Sequence, residues 1–497
     1  MPPNNHLQWV EITDFAPGVF TVSDWLIPPN GSQIMEDCYP QVGGGLRAFV
    51  KPTALTTTGI VDAATEQVIG CYVHYPGYRH GVGNRADYFI ATVDTSNRVS
   101  IYRYDLSDDA TTWVRVAYWA AGAGAPQPVQ FAKFRDAAGA YWILAGFFSV
   151  STDDGLYKID WSQTGPSQTA TKIVHPYAGA GRRFGPTLAV QDDRILVVEW
   201  PNILWYSDSM ALTFSASNYL PLASSSASNM IHTIMPFAPS DLLIGLSSEP
   251  WHLVQGDITD PVVRSMSKAR TPGAVQMSAF TQNGLAFLGY KVGVFVTSTG
   301  ETFQDLSAQI APSTWDILGG DVGIGDLGYD GNLLFAPSGL VFDFRTNGWF
   351  TTSKLSDAAA HRGHHFAAAP QKRVLASATG TGVELWNYDV AEASTSRCPS
   401  YTWKSAPLRA PDGRQMEIRE VQVYARGYNA GSTLTVTVGT KTKTLPVGAA
   451  KQMVSFLMVQ RAEVLDVQVV SASNDPDVEA PSIEAVRIGA GYGHLSH

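Results

Sequence analysis

The chain has 497 residues, beyond the usual size of one domain, so it suits two or more domains or one large propeller or barrel. Charged residues are only 16 %, while Gly (45), Pro (29), Trp (13), Tyr (20) and Phe (21) are plentiful, a balance that favours short strands and many turns over long helices. The net charge of −10, with no cluster of Lys and Arg, argues against general affinity for a phosphate backbone. No run approaches the ~20 apolar residues of a spanning helix, and the opening MPPNNHLQWVEITDF has no basic segment followed by an apolar core. The expectation is a protein with no membrane anchor, made in a cytoplasm without a secretion signal.

In chain order, the first element is an extended arm over residues 1–55. Trp9, Phe15, Phe20 and Trp25 are spaced through Pro and Gly breaks, so no helix gathers them on one face. Such a segment lies along another surface, and these four aromatics are the candidate interface residues. The arm either closes a propeller of its own chain or reaches a neighbouring subunit.

Residues 56–392 carry an internal repeat. A short apolar strand, a few turn residues and a second, aromatic-rich strand recur from Tyr88 (YFIATVDTSNRVSIYRYD), Tyr141, Ile195 (ILVVEWPNILWYSD), Leu242, Leu285, Leu333 and Val374. The starts are on average roughly 48 residues apart, as four-stranded propeller blades require. Both strands are largely apolar, which fits sheets covered on both faces by neighbours. A third strand often follows, at Thr111–Val116, Thr171–Pro176 and Asn347–Thr352, and Gln67–Tyr78 supplies a strand for the first blade; the outer fourth strands are less legible. Stacked β-sandwiches would also show many short strands, but the regular recurrence favours a seven-bladed propeller. After a polar linker, AEASTSRCPS, residues 398–497 read as alternating strands such as STLTVTVGT and LDVQVVSA, a C-terminal β-sandwich. The fold class is therefore all-β: a β-propeller with an extended N-terminal arm and a C-terminal β-sandwich.

Several lines together resemble one family. ILWYSDSMALTFSASNYL is similar to a strand-and-turn line of bacteriophage tail proteins built on a propeller, the tail hub or nozzle type found between portal and tail end. LLIGLSSEPWHLVQGD followed by GLAFLGYKVGVFVTSTG, then VFDFRTNGWF, TWKSAPLRAP and the opening DFAPGVFTVSDWLIPPNGSQIMEDCYPQVGGGLR resemble further lines of that family in the same order. The turn DSMALTF lacks the family's Gly and Pro, and DCYP stands where the arm has an Asn-Val pair, so a minor tail protein of a long-tailed phage fits nearly as well. The resemblance implies a non-enzymatic structural component of the virion tail, assembling with other tail proteins as a symmetric homo-oligomer around the tail axis. DNA would pass through it without specific binding. A host glycan is the alternative partner, and a polysaccharide depolymerase the more distant reading.

Several residue clusters suggest chemistry, and each also has a plainer structural role. STDDGLYK, with Ser151, Asp153 and Gly155, and STGETF, with Gly300, Thr302 and Phe303, are partial matches to the sialidase Asp-box turn, which in that family is a structural hairpin. Asp105, Asp160, Asp330 and Asp343 could supply a glycosidase carboxyl pair, yet they sit at strand ends where carboxylates cap turn N–H groups. His361, His364 and His365 invite a metal reading, but no carboxylate or Cys lies at ligand spacing, and HRGHHF reads as a surface loop. Gly43–Arg47 and the stretch around Arg182 and Arg183 are Gly-rich without the phosphate-loop pattern. Trp200, Trp205 and Trp251 could stack on sugars, but each lies within an apolar strand and reads as core. Cys38, Cys71 and Cys398 have no CxxC spacing and are expected as buried thiols. No catalytic, metal or cofactor residue is assigned.

Overall fold

The computed structural model describes residues 8–20, 27–28, 31–74, 87–105, 112–119, 129–147, 155–160, 170–185, 187–199, 201–222, 231–238, 240–246, 252–265, 279–282, 285–290, 293–299, 302–311, 327–336, 339–353, 364–369, 373–378, 382–389, 397–409 and 415–492. Among them the chain is all-β, with one short 3-10 turn at Ala178–Ala180 and no α-helix.

The arm supplies Gln8–Ile12 (β1), Ser32–Glu36 (β2), Cys38–Pro40 (β3), Leu46–Ala48 (β4) and Thr53–Ala54 (β5). Seven groups of strands follow. The first is Gln67–His74 (β6), Asp87–Val93 (β7), Val99–Asp105 (β8) and Val114–Trp119 (β9); the second Gln130–Arg135 (β10), Tyr141–Phe147 (β11), Gly155–Ile159 (β12) and Thr171–Lys172 (β13). The third is Leu188–Gln191 (β14), Arg194–Glu199 (β15), Ile203–Tyr206 (β16) and Tyr219–Pro221 (β17); the fourth Ile231–Ala238 (β18), Asp241–Leu246 (β19), His252–Gln255 (β20) and Val262–Ser265 (β21). The fifth is Ala279–Gln282 (β22), Leu285–Tyr290 (β23), Gly293–Thr297 (β24) and Gln304–Asp305 (β25); the sixth Gly328–Tyr329 (β26), Leu333–Phe335 (β27), Leu340–Asp343 (β28) and Gly348–Thr351 (β29). The seventh has His364–Ala369 (β30), Arg373–Ala378 (β31) and Leu385–Asp389 (β32). Within each group the strands pair antiparallel in chain order, and the seventh takes its fourth strand from the arm, β5 pairing with β32 at Trp386↔Ala54 and Asn387↔Thr53.

Each of the seven recurring phrases forms the middle two strands of its group. Burial explains why those were legible: β7 is buried at every residue, and β15 and β19 at all but the first. The segments read as third strands belong to outer fourth strands instead: Thr111–Val116 overlaps β9, and Thr171–Pro176 and Asn347–Thr352 contain β13 and β29. The strands without a clear sequence signal are the first of most groups; β10, QFAKFR, is half-buried and mixes charge with aromatics, so it carries no clean period.

These first strands pack on one another in sequence. β6 meets β10, β10 meets β14, β14 meets β18, β18 meets β22, β26 meets β30, and β30 meets β6. The fifth and sixth groups share an apolar cluster in which Val294, Val296 and Leu306 meet Leu334, Phe342 and Trp349. Equivalent clusters lie between first and second, second and third, third and fourth, and seventh and first groups.

The remaining strands are Ser400–Ser405 (β33), Leu408–Arg409 (β34), Met416–Arg426 (β35), Ser432–Val438 (β36), Lys441–Val447 (β37), Lys451–Ala462 (β38), Val464–Leu465 (β39), Val467–Ala472 (β40) and Ser482–Tyr492 (β41). One sheet runs β3-β4-β41-β35-β38, with β1 also on β41. The other has nine strands, β26-β27-β28-β29-β2-β33-β40-β36-β37, so the arm strand β2 joins the sixth group to the C-terminal strands. β2 pairs parallel with β29 at Glu36↔Thr351 and antiparallel with β33. The alternation of burial along β36 and β40 gives each one inward face, and Val436, Val469 and Trp403 share a single core with Val423, Phe456 and Ile488 of the first sheet. The arm residues Phe15, Met35 and Phe49 belong to that same core.

Candidate functional site

The four arm aromatics take different places. Phe15 is fully buried and meets the Trp403 ring edge-on at 5.4 Å. Phe20 is half-buried, its backbone N–H donating to the Ser32 carbonyl at 2.8 Å. Trp9 is 43 % exposed and lies over Gly489, where an added Cβ would come within 3.1 Å of its ring. Trp25 lies outside the described residues. Phe15 thus serves the chain's own core, while Trp9 faces solvent on a sheet whose far edge strand β38 exposes Met453, Leu457 and Val459 at alternate positions.

Where the arm crosses the sixth group, the backbones touch. Gly18 has φ +70°, and a Cβ there would stand 2.4 Å from the Trp349 carbonyl oxygen. Opposite it, a Cβ on Gly348 would stand 2.2 Å from the Ala16 oxygen. Only glycine fits both the left-handed conformation and the approach at Gly18. The Val19 N–H donates to the Trp349 carbonyl at 2.8 Å, and the Gln309 amide donates to the Pro17 carbonyl at 3.3 Å while accepting from the Trp349 N–H at 3.2 Å.

A dense buried polar cluster lies in the third group, around Glu199, the last residue of β15. Its carboxylate accepts from Trp205 Nε1 at 2.7 Å, from His175 Nε2 at 3.1 Å and from both forks of Arg182, the second at 2.7 Å. His175 Nδ1 accepts the Tyr177 N–H at 3.0 Å, so the ring carries its proton on Nε2. Burial lowers the His175 pKa below the ordinary 6.5, with Glu199 pulling against that shift. The Arg182 guanidinium lies over Tyr177 at 5.2 Å and Trp205 at 5.7 Å. A carboxylate buried beside an indole needs these donors; they use up its acceptor sites and leave it a structural anchor. The sequence signal was present: Glu199 is the lone acid within the apolar run ILVVEW.

The other candidates resolve similarly. Asp330 accepts the N–H groups of Asn332 and Leu333 at 2.8 and 2.7 Å, and Asp343, fully buried, accepts from the backbone and guanidinium of Arg345. Asp105 ends β8 and Asp160 follows β12, while Asp330 and Asp343 both belong to the sixth group; the turn and ion-pair bonds just described, not their separation, engage these last two. Asp208, in the turn after β16, gathers Thr213 Oγ1, Ser215 Oγ and Asn218 Nδ2 at 3.1, 2.8 and 2.9 Å, which makes SDSMALTFSASN a self-bonded turn.

His364 and His365 are not in a loop: they open β30, paired with Ala378 and Ser377, because the strand must begin there to line up with β31. His361 lies outside the described residues, as do Ser151, Asp153, Gly300, Trp200 and Trp251. Gly155 starts β12, and Thr302 and Phe303 precede β25. Gly43, Gly44 and Gly45 form the positive-φ turn between β3 and β4, beyond which Arg47 makes a bidentate pair with Glu479. Arg182 binds Glu199, as described, and Arg183 follows it in a stretch outside the regular strands. Trp205 is fully buried and cannot stack on a sugar. Cys38 and Cys398 are buried, whereas Cys71 is only half-buried.

No family model matches the chain, and no curated protein sequence does. Among solved structures the chain is similar to Raptor of Chaetomium thermophilum, at 10 % identity and TM-score 0.40, over 66 % of this chain and 30 % of that one. It is similar to YCF48 bound to D1 peptide, at 12 % identity and TM-score 0.39, over 69 % and 96 % of the two chains. A third likeness, at 12 % identity and TM-score 0.35 over 65 % and 96 %, is to the β-propeller domain of the Trilobed protease from Pyrococcus furiosus.

Proposed function

We propose that this chain is a non-enzymatic structural protein of a bacteriophage tail, of the hub, nozzle or minor tail type. In this reading the seven groups are the blades of a seven-bladed β-propeller closed by β5, and the strands after residue 397 form a β-sandwich with the arm. The observation that carries it is the nine-stranded sheet, in which β2 stitches the sixth group to the C-terminal strands. A propeller and a sandwich tied by a shared strand make a stiff unit suited to symmetric assembly. The order of family-like lines along the sequence supplies the tail assignment. The acids with the best partners, Glu199, Asp330 and Asp343, are committed to turns and ion pairs. The exposed row Met453, Leu457 and Val459 offers apolar surface for contact with a second copy.

Light scattering of the purified protein and immunolabelling of purified particles test the reading. A closed oligomer found in the tail is expected, with Leu457→Glu lowering the oligomer's mass while leaving the strand content unchanged. A stable monomer absent from particles would overturn it.

A further inference from the structure

A cavity of about 360 Å³ opens where the arm, the fifth group and the sixth group meet. Its size falls at the lower end of the ~300–1,000 Å³ range of small-molecule sites. Phe20 comes from the arm, Gln304, Asp305 and Leu306 from β25 and the residue after it, and Phe342 and Asn347 from the sixth group. We propose that this cavity binds one neutral sugar unit, free or within a glycan.

The lining has the chemistry of a polyol site. Gln304 and Asn347 each present an amide, with both donor and acceptor, and both residues are exposed at the opening. Sugar hydroxyls also donate and accept, so each amide can meet a neighbouring pair of them. Asp305 is held in place through Oδ1, which accepts the Ser307 N–H at 2.8 Å and its hydroxyl at 2.7 Å. Its second oxygen has no partner among the described residues and is a strong acceptor for a ligand hydroxyl. Phe20 supplies an aromatic ring for the apolar C–H face of a pyranose, with Leu306 and Phe342 as apolar floor.

Charge decides the class. Among the described residues Asp305 is the one ionisable group of the lining and no cation lines the cavity with it, so phosphate, uronate and sialate ligands meet repulsion without compensation there. Sheet junctions of this kind also keep their shape: Gln309 and the Gly18 crossing clamp the arm beside the cavity.

The inference stands independently of the tail assignment. Its test is saturation-transfer NMR on the full chain with the methyl glycosides of glucose, galactose, mannose and N-acetylglucosamine, and with N-acetylneuraminic acid as the charged control. At least one neutral glycoside is expected to bind with a roughly millimolar Kd, as a small open site allows. The double variant Gln304→Ala/Asn347→Gly removes both amides, and glycine accepts the φ of +57° at position 347; it should weaken binding at least fivefold with an unchanged melting temperature. Absence of binding by all four neutral glycosides, binding that survives the double variant, or equal binding of N-acetylneuraminic acid overturns the proposal. Particle location decides the tail reading separately, so the two failures are distinguishable.

Discussion

Glu199 illustrates how single residues hold this fold. Replacing it by Leu leaves the Trp205 N–H and the His175 Nε2–H without acceptors in the interior and strips Arg182 of its partner. Because Arg182 is partly exposed and can turn to water, the expected cost is about 2–3 kcal/mol, below that of breaking a fully buried pair. Urea unfolding of Glu199→Leu against the parent chain measures it. His175 adds a pH dependence. Its folded pKa is depressed by burial, so the unfolded chain takes up the proton first, and the stability present above about pH 6.5 falls as pH drops through the folded value. Protonation would also turn Nδ1 from acceptor to donor and break its bond to Tyr177. The denaturation midpoint should therefore decline as pH is lowered from 7 towards 5, and His175→Gln should flatten that slope; an identical slope in the variant would refute the assignment. Of this cluster only the oddity of an acid in ILVVEW was legible, since His175 and Arg182 reach it across a turn that the sequence pattern does not encode.

Elements were legible in proportion to their burial on both faces. The central hairpins stood out because neighbouring groups cover them, whereas β10 and the two-residue strands β5 and β25 carry too few apolar positions to show a period. The arm was legible as extended, through its Pro and Gly breaks, but its partners were not, since pairing between β2 and β29 involves residues far apart in sequence. The crossing of Gly18 over Trp349 yields a test at this scale. Gly18→Ala must bear both a left-handed φ and a 2.4 Å contact with a backbone oxygen, whereas Gly43→Ala meets a left-handed φ with nothing within 4 Å. Thermal unfolding should show Gly43→Ala costing about 1 kcal/mol and Gly18→Ala at least about twice that.

At the scale of the whole molecule, β2 and β5 tie the arm into both halves of the chain. Removal of residues 1–55 would leave β32 with an unpaired edge, open the seam between β29 and β33, and take Phe15, Met35 and Phe49 out of the shared core. The full chain is expected to unfold in one cooperative transition, and the truncated chain to lose that transition and to aggregate; calorimetry showing the same transition in both would contradict the coupling. Composition, period and strand alternation sufficed for the all-β class, but a sheet that runs from one half of the molecule into the other leaves no local trace in sequence.

The late partner of β5 has a consequence for how the protein is made. Thr53 and Ala54 leave the ribosome early, yet Trp386 and Asn387, to which they bind, emerge only after six intervening groups have been synthesised. Throughout that interval the greasy side chains at 15, 35 and 49 wait without their companions at 403, 421 and 486, so the nascent polypeptide spends its longest vulnerable period with its leading end unsheltered and depends on rapid translation or a chaperone's cover to avoid clumping.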